Sequence, residues 1–193
     1  MKKSTIIILV ILAVILLWGV TAYNNLVSKE ENVNQQWSNV ETQYQRRADL
    51  IPNLVSTVKG YASHESETLQ GVVEARSKAT QITVSGSDLT PEKMAEYQKA
   101  QGAVSSALGK LLAIAENYPD LKANQNFLEL QAQLEGSDNR ISVARINYNN
   151  AAKDFNTTIR RFPNNILAGI CGFDKCTYFE AAEGAEQAPQ VEF

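Results

Sequence analysis

Catalysis would have to be built from very little. The 193-residue chain has one histidine, His64, and two cysteines, Cys171 and Cys176. Nucleophilic chemistry needs a nucleophile held beside a base. His64 stands next to Glu65 at a predicted helix junction, where capping or solvation is the plainer role. A four-ligand Cys/His metal site needs more ligands than this inventory supplies. There is no Gly-rich phosphate loop, HExxH or paired-carboxylate motif. Acidic pairs do occur, on predicted helix faces where solvation accounts for them. We therefore read no catalytic residue, no cofactor and no metal, and expect a protein that is not an enzyme. Cys171 and Cys176 could close a small disulfide loop if this part of the chain is exported; the alternative is two free thiols.

A second group of polar residues stands out for its position. Arg46, Arg47, Asp49, Pro52 and Asn53 lie within one short stretch, and Arg47 falls on an otherwise apolar seam. A buried charge without a partner is costly, so Arg47 must either reach solvent or meet polar groups. Arg145, Tyr148, Asn149 and Asn156, much later in the chain, offer such groups. The favoured reading is an internal polar network that fixes helix register; the alternative is a surface for a partner protein.

Those residues must be positioned by helices, because helical periodicity dominates and no segment alternates like a strand. Val33, Trp37, Val40, Tyr44, Arg47, Ile51, Leu54, Val58 and Tyr61 recur at steps of three or four, a seam of the kind that packs bundles and coiled coils. Pro52 lies inside this segment and predicts a kink. A break follows near Gly60–Ser63, with Ser63 as a candidate cap and Leu69, Val72, Val73, Arg76 and Ile82 on the next helix. Thr83–Leu89 reads as a loop. Thr90 and Pro91 then form a start signal, followed by Met94, Tyr97, Gln101, Val104, Leu108, Leu111, Ala115 and Tyr118. The last helix starts at Asp120 or Asn124. Phe127, Leu134, Ile141, Tyr148, Phe155 and Phe162 recur along it at steps of seven, widened by Leu130, Ala144, Ala151 and Ile159. Pro163 stops it. In an up-down arrangement the first and last helices run antiparallel, with Val33 level with Phe162, Arg47 with Tyr148, and Tyr61 with Leu134. That register predicts that Arg47 donates to Asn149 or a carbonyl near it, and that Asp49 pairs with Arg145.

The N-terminus carries a membrane signal. No charge occurs between Ser4 and Ser28, and Ser4–Tyr23 supplies the roughly 20 apolar residues a spanning helix needs. Trp18 and Tyr23 fall where aromatic rings favour the interface. Val20-Thr21-Ala22 would pass as a signal-peptide cleavage site, but the apolar run is long for a signal core and continues into helical sequence, so a retained anchor is favoured. Lys2 and Lys3 precede the span, against Lys29 after it. The positive-inside rule thus favours a cytoplasmic N-terminus and an exported body. Net charge is −3. Asp174, Glu180, Glu183, Glu186 and Glu192 against Lys175 place most of it in the tail, so the body is close to neutral and shows no nucleic-acid footprint. The acidic, Ala/Gly/Gln-rich end predicts disorder from Glu180 onward.

Several motifs, in order, carry a family resemblance. Tyr23-Asn24-Asn25-Leu26-Val27, Trp37, Arg46 to Val55 and Val58-Lys59-Gly60-Tyr61 resemble the LemA family. So do Glu116 to Ala123, Ala144 to Asn149, Asn156, and Arg161-Phe162-Pro163. The match runs from the membrane helix to about Phe179. The resemblance implies an N-terminal anchor, a bundle of four helices and no established catalytic residue. It also implies a short N-terminus outside and a cytoplasmic body, opposite to the charge reading. The Cys171/Cys176 pair departs from the family pattern.

The expected architecture is all-α: a short N-terminus and transmembrane helix (1–23), an elongated antiparallel up-down four-helix bundle (24–163), and an apolar patch with an acidic tail (164–193). The expected location is a bacterial cell membrane, crossed once. The expected role is a scaffold or adaptor, working through the lipid bilayer and other membrane or envelope proteins, or through self-assembly as a homo-oligomer. The alternative is a regulatory subunit of a membrane protease or other envelope protein.

Overall fold

The computed structural model describes residues 3–84, 86 and 89–180. Among them every regular element is a helix: α1 (Lys3–Lys59), α2 (Ser66–Gln81), α3 (Pro91–Ala115), the single turn α4 (Pro119–Lys122), α5 (Gln125–Arg160) and α6 (Asn164–Cys171). The seams account for this. Of the first seam every residue from Val33 to Val58 is buried, and Tyr61 is exposed beyond the helix end. Met94 to Ala115 of the second seam are buried on α3. On α5 the step-of-seven residues are buried from Phe127 to Phe155, while Phe162 lies beyond the helix and is 81% exposed. Each fully buried Leu, Ile or Val contributes roughly 1.5–3 kcal/mol. The surface ion pairs Lys29–Asp154 and Lys122–Glu116 each have a well-exposed carboxylate and contribute little.

Helix ends follow their capping chemistry in two places and depart from it in one. Thr90 accepts from the Lys93 amide with Pro91 in the first turn. Asn124 accepts from the Phe127 amide, fixing the start of α5. Ser63 caps nothing: α2 begins at Ser66 with Glu65 at the N-cap and no side-chain cap. Main-chain bonds close that turn instead, Ala62 N–H to Val58 and Glu65 N–H to Ala62. The Tyr118 hydroxyl donates to Glu65 across the same end at 2.9 Å.

Pro52 does not end α1, which continues through it to Lys59. A proline lacks the N–H that would bond the carbonyl four residues back, here that of Ala48. Arg76 of α2 supplies the missing donor, its Nε lying 2.7 Å from that oxygen. The gap in the α1 ladder thereby becomes a joint between α1 and α2.

Helices α1 and α5 run antiparallel along their shared length. Lys29 pairs with Asp154, the Trp37 ring meets that of Tyr148, Arg47 reaches Asp138, and Asn124 donates to the Tyr61 hydroxyl. The sequence-derived register is therefore displaced by about three turns: Arg47 lies level with Asp138, not Tyr148. The reason is where the seam begins. Ala22 and Leu26 are already buried, so packing starts at the end of the apolar span rather than at Val33, and α5 reaches correspondingly further toward it. α2 packs along both α1 and α3, and α6 covers α1 and α5 at the end nearest the span.

Candidate functional site

The core falls into two apolar clusters. One holds Leu26, Trp37, Tyr44, Tyr97, Ile141, Tyr148 and Phe155 on the side of the span. The other holds Ile51, Leu54, Val104, Leu111, Leu121 and Leu134 on the far side. Arg47 and Gln101, both buried, lie between them along α1 and α3. The Arg47 guanidinium donates from Nη1 to Ser105 Oγ (2.9 Å) and Asp138 Oδ1 (3.2 Å). From Nη2 it donates to the Gln101 carbonyl (3.1 Å) and Gln101 Oε1 (3.0 Å). Arg47 thus ties α1 to α3 and α5. Its carboxylate partner is 59% exposed, so the attraction is partly screened and the neutral acceptors matter as much as the ion pair. Two polar atoms beside this layer, Gln43 Oε1 and Ser137 Oγ, are buried without a partner among the described residues.

The predicted constellation separates into three parts. Arg47 joins Gln101, Ser105 and Asp138 rather than Asn149. Asp49 accepts from Gln45 at 2.7 Å and does not pair with Arg145. Both corrections follow from the displaced register. Arg46, Asp49, Pro52 and Asn53 are exposed on the outer side of α1.

Arg145, Tyr148, Asn149 and Asn156 converge on a different object, the extended segment Cys176–Glu180. Gly172 ends α6 with φ of 77°, a left-handed turn that glycine adopts without strain, and the chain then runs back along α5. Asn156 brackets Cys176, donating to its carbonyl and accepting from its N–H, both at 2.8 Å. Asn149 brackets Phe179 in the same way, at 3.0 and 2.9 Å. The Tyr148 hydroxyl donates to the Thr177 carbonyl and Arg145 Nη2 to the Glu180 carbonyl. All of these bonds end on main chain. One side chain is read as well: the Phe179 ring stacks on Trp37, with centroids 5.8 Å apart, and lies 4.7 Å below the Arg145 guanidinium. Trp37 also contacts Tyr97 and Tyr148 and donates to the Val84 carbonyl. Among the described residues a groove between α3 and α5 adjoins Phe179 and Glu180, lined by Lys99, Ser105, Asp138 and Arg145 over a floor of Tyr44 and Arg47.

Burial sets the ionisation of this region. It pushes the phenols of Tyr44, Tyr97 and Tyr148 up from their ordinary range, an effect that nearby Arg145 and Arg47 reduce at Tyr44. It raises the Cys176 thiol to about 11, with a smaller contribution from Glu30. Cys171 is exposed, and both cysteines are free thiols. His64 is exposed. Among the described residues no group of three or more His, Cys, Asp or Glu side chains could hold a metal ion.

The clamp residues are legible in the sequence, but their partner is not. Asn149 and Asn156 lie seven residues apart on a buried stripe, and buried amides require partners. No complementary side chains stand at matching positions on the other seams. The partner is main chain, which leaves no side-chain signature.

Among the described residues one helix, Lys3–Lys59, is long and apolar enough to cross a membrane, and its apolar part is exposed. The molecule is an all-helical protein with an N-terminal apolar helix that fits a single-pass anchor. It belongs to the LemA family, whose model matches residues 36–193. It is also similar to the magnetosome protein MamQ 2 of Paramagnetospirillum magneticum, 27% identical over 175 residues, which cover 82% of this chain and 64% of that one. MamQ of Magnetospirillum gryphiswaldense is 26% identical over 174 residues (81% and 64%). Protein LemA of Metamycoplasma hominis is 28% identical over 160 residues (83% and 69%). The chain thus spans 64% of the length of each magnetosome relative. The family and these relatives are not known enzymes.

Proposed function

We propose that this protein is a membrane-anchored, non-enzymatic adaptor whose helical body holds extended peptide segments next to the bilayer. The observation that carries this reading is the clamp. Paired amides on α5 hold a peptide through its main chain, and a single aromatic pocket at Trp37 reads one side chain. Main-chain bonding combined with a pocket is a general way to recognise an extended peptide. The chain's own Cys176–Glu180 occupies the clamp, and a groove between α3 and α5 adjoins it among the described residues. The four long helices fit an up-down bundle, supported by the antiparallel α1/α5 pairing and by α2 packing between α1 and α3. Arg46, Asp49, Pro52 and Asn53, exposed together on α1, form a second candidate contact surface. The charge distribution around the span supports an exported body.

The test is binding in trans. Full-length protein in detergent micelles is compared with a variant ending at Gly172, both probed with a fluorescent peptide of the sequence from Phe173 to Glu180. The shortened protein should bind the peptide saturably, and Phe179→Ala in the peptide should abolish binding. A shortened protein that keeps its helical signal yet binds nothing would overturn the adaptor reading.

A further inference from the structure

The end of the body nearest the span carries an apolar surface that stays exposed among the described residues. Phe162 is 81% exposed, Ile166 54% and Ile170 78%. Ile166 and Ile170 are four residues apart on α6 and so share one of its faces, and Phe162 lies in the turn between α5 and α6, just ahead of that stripe. The opposite side of α6 is the packed one: Ala168 is buried, with Leu167 and Phe173 against the same cluster as Leu26 and Phe155. The sequence of α6, NNILAGIC, has no charged residue.

The height of this stripe follows from the register. α1 and α5 are aligned so that Asp154 meets Lys29 and Tyr148 meets Trp37. Continuing that alignment brings Arg160, the last residue of α5, level with about Asn25, within one turn of Tyr23 at the end of the apolar span, with Phe162 in the turn that follows. The Tyr23 ring packs on Phe173, with centroids 5.7 Å apart, and α6 contacts α1 directly. The span needs about 30 Å of hydrocarbon, and Tyr23 and Trp18 mark its edge, where such rings settle. Whatever covers Phe162, Ile166 and Ile170 is therefore at the depth of the headgroups. Arg160 and Arg161, both exposed, immediately precede the stripe, and guanidinium groups at this level suit anionic lipid.

We propose that Phe162 and α6 form a second membrane contact, immersed in the interface beside the transmembrane helix. A single helix fixes a body's distance from the bilayer but leaves its tilt and rotation free. A second, off-axis contact fixes both. It would hold the α5 face and the clamp in one orientation to the bilayer. Exposed apolar side chains on a short helix partition into the headgroup region to a depth of about 5–10 Å. This inference uses only the span and the register, so it stands or falls separately from peptide binding.

The test uses the full chain, with Cys171→Ser and Cys176→Ala, reconstituted in vesicles of phosphatidylethanolamine and phosphatidylglycerol. Nitroxide labels are placed singly at Ile166, Ile170 and, as a control, Val143. Val143 is an exposed apolar residue on α5 that the register places about 28 Å further from the span. Labels at 166 and 170 should be accessible to oxygen and several-fold protected from a water-soluble nickel complex, while the label at 143 should not be. Replacing Phe162, Ile166 and Ile170 together by serine should leave helicity unchanged and widen the distribution of Val143-to-bilayer distances. Equal nickel accessibility at all three positions would overturn the proposal. So would protection that survives in detergent with spin–spin broadening, which would mark a second copy of the chain as the cover.

Discussion

The amide clamp gives the sharpest prediction, because each asparagine holds one identifiable peptide unit. Asn149→Ala removes the bonds to both the N–H and the C=O of Phe179; Asn156→Ala does the same at Cys176. A neutral hydrogen bond contributes about 1 kcal/mol net, so each substitution should cost about 2 kcal/mol of local docking free energy. Every 1.4 kcal/mol is tenfold, so exchange of the released amide should accelerate by roughly 30-fold. The measurement is hydrogen–deuterium exchange resolved to the 176–180 peptide, in detergent or nanodiscs. The helix α5 amides should not change, since its own ladder is intact. Asn150→Ala, at an exposed position one residue away, is the control and should leave the segment protected. Asn149→Asp should be worse than Asn149→Ala at neutral pH. Its carboxylate still accepts from the Phe179 N–H but sets a negative oxygen against the Phe179 carbonyl that the amide now bonds at 3.0 Å. If the Phe179 and Cys176 amides exchange as slowly in the variants as in the wild type, the amides do not hold the segment and the reasoning fails.

Other predictions follow from the core. Arg47→Ala should cost about 2–3 kcal/mol in denaturant unfolding, because it leaves Gln101 and Ser105 without their donor; Arg47→Leu orphans the same acceptors and keeps only packing, so it should still cost more than about 1 kcal/mol, and a leucine variant as stable as the wild type would contradict the polar-layer account. Arg76→Ala should cost about 1–2 kcal/mol by orphaning the Ala48 carbonyl, and Pro52→Ala should shrink that cost by restoring a helical donor, a coupling that a double-mutant cycle would detect. Stability should be full below about pH 9 and fall at higher pH. Cys176 is raised to about 11 from an ordinary 9.0, and Tyr44, Tyr97 and Tyr148 are raised above 10.0, so the unfolded chain loses protons first. Tyr148→Phe should move that alkaline transition upward, and an unchanged transition would remove Tyr148 from its cause. At pH 8 iodoacetamide should modify Cys171 readily and Cys176 slowly, since the higher pKa alone gives Cys176 about a hundredfold less thiolate than an ordinary thiol; equal rates would show that the segment does not stay docked.

The span, the helical class and the faces of the helices follow from the sequence, because they rest on periodicity and hydropathy, which are local. The seam from Val33 to Val58, the Met94–Ala115 seam and the Phe127–Phe155 repeat are buried as their spacing requires. Caps at Thr90 and Asn124 are local chemistry too. Register is not local. Sliding α5 along α1 by three turns still faces apolar residues to apolar residues, so the sequence alone could not choose between Tyr148 and Asp138 as the level of Arg47. The choice came from where packing starts, at Ala22, and from the Asn124 cap meeting Tyr61. Ser63 failed as a cap because the turn after α1 closes on its own main chain. The predicted disorder beyond Glu180 falls outside the described residues, apart from Glu180 itself, whose carbonyl Arg145 holds. What only the tertiary structure decided is the use of Asn149 and Asn156. Their burial demanded partners, but main-chain N–H and C=O groups are the same at every residue. Which peptide units they hold depends on the turn at Gly172 and the path the chain takes after it.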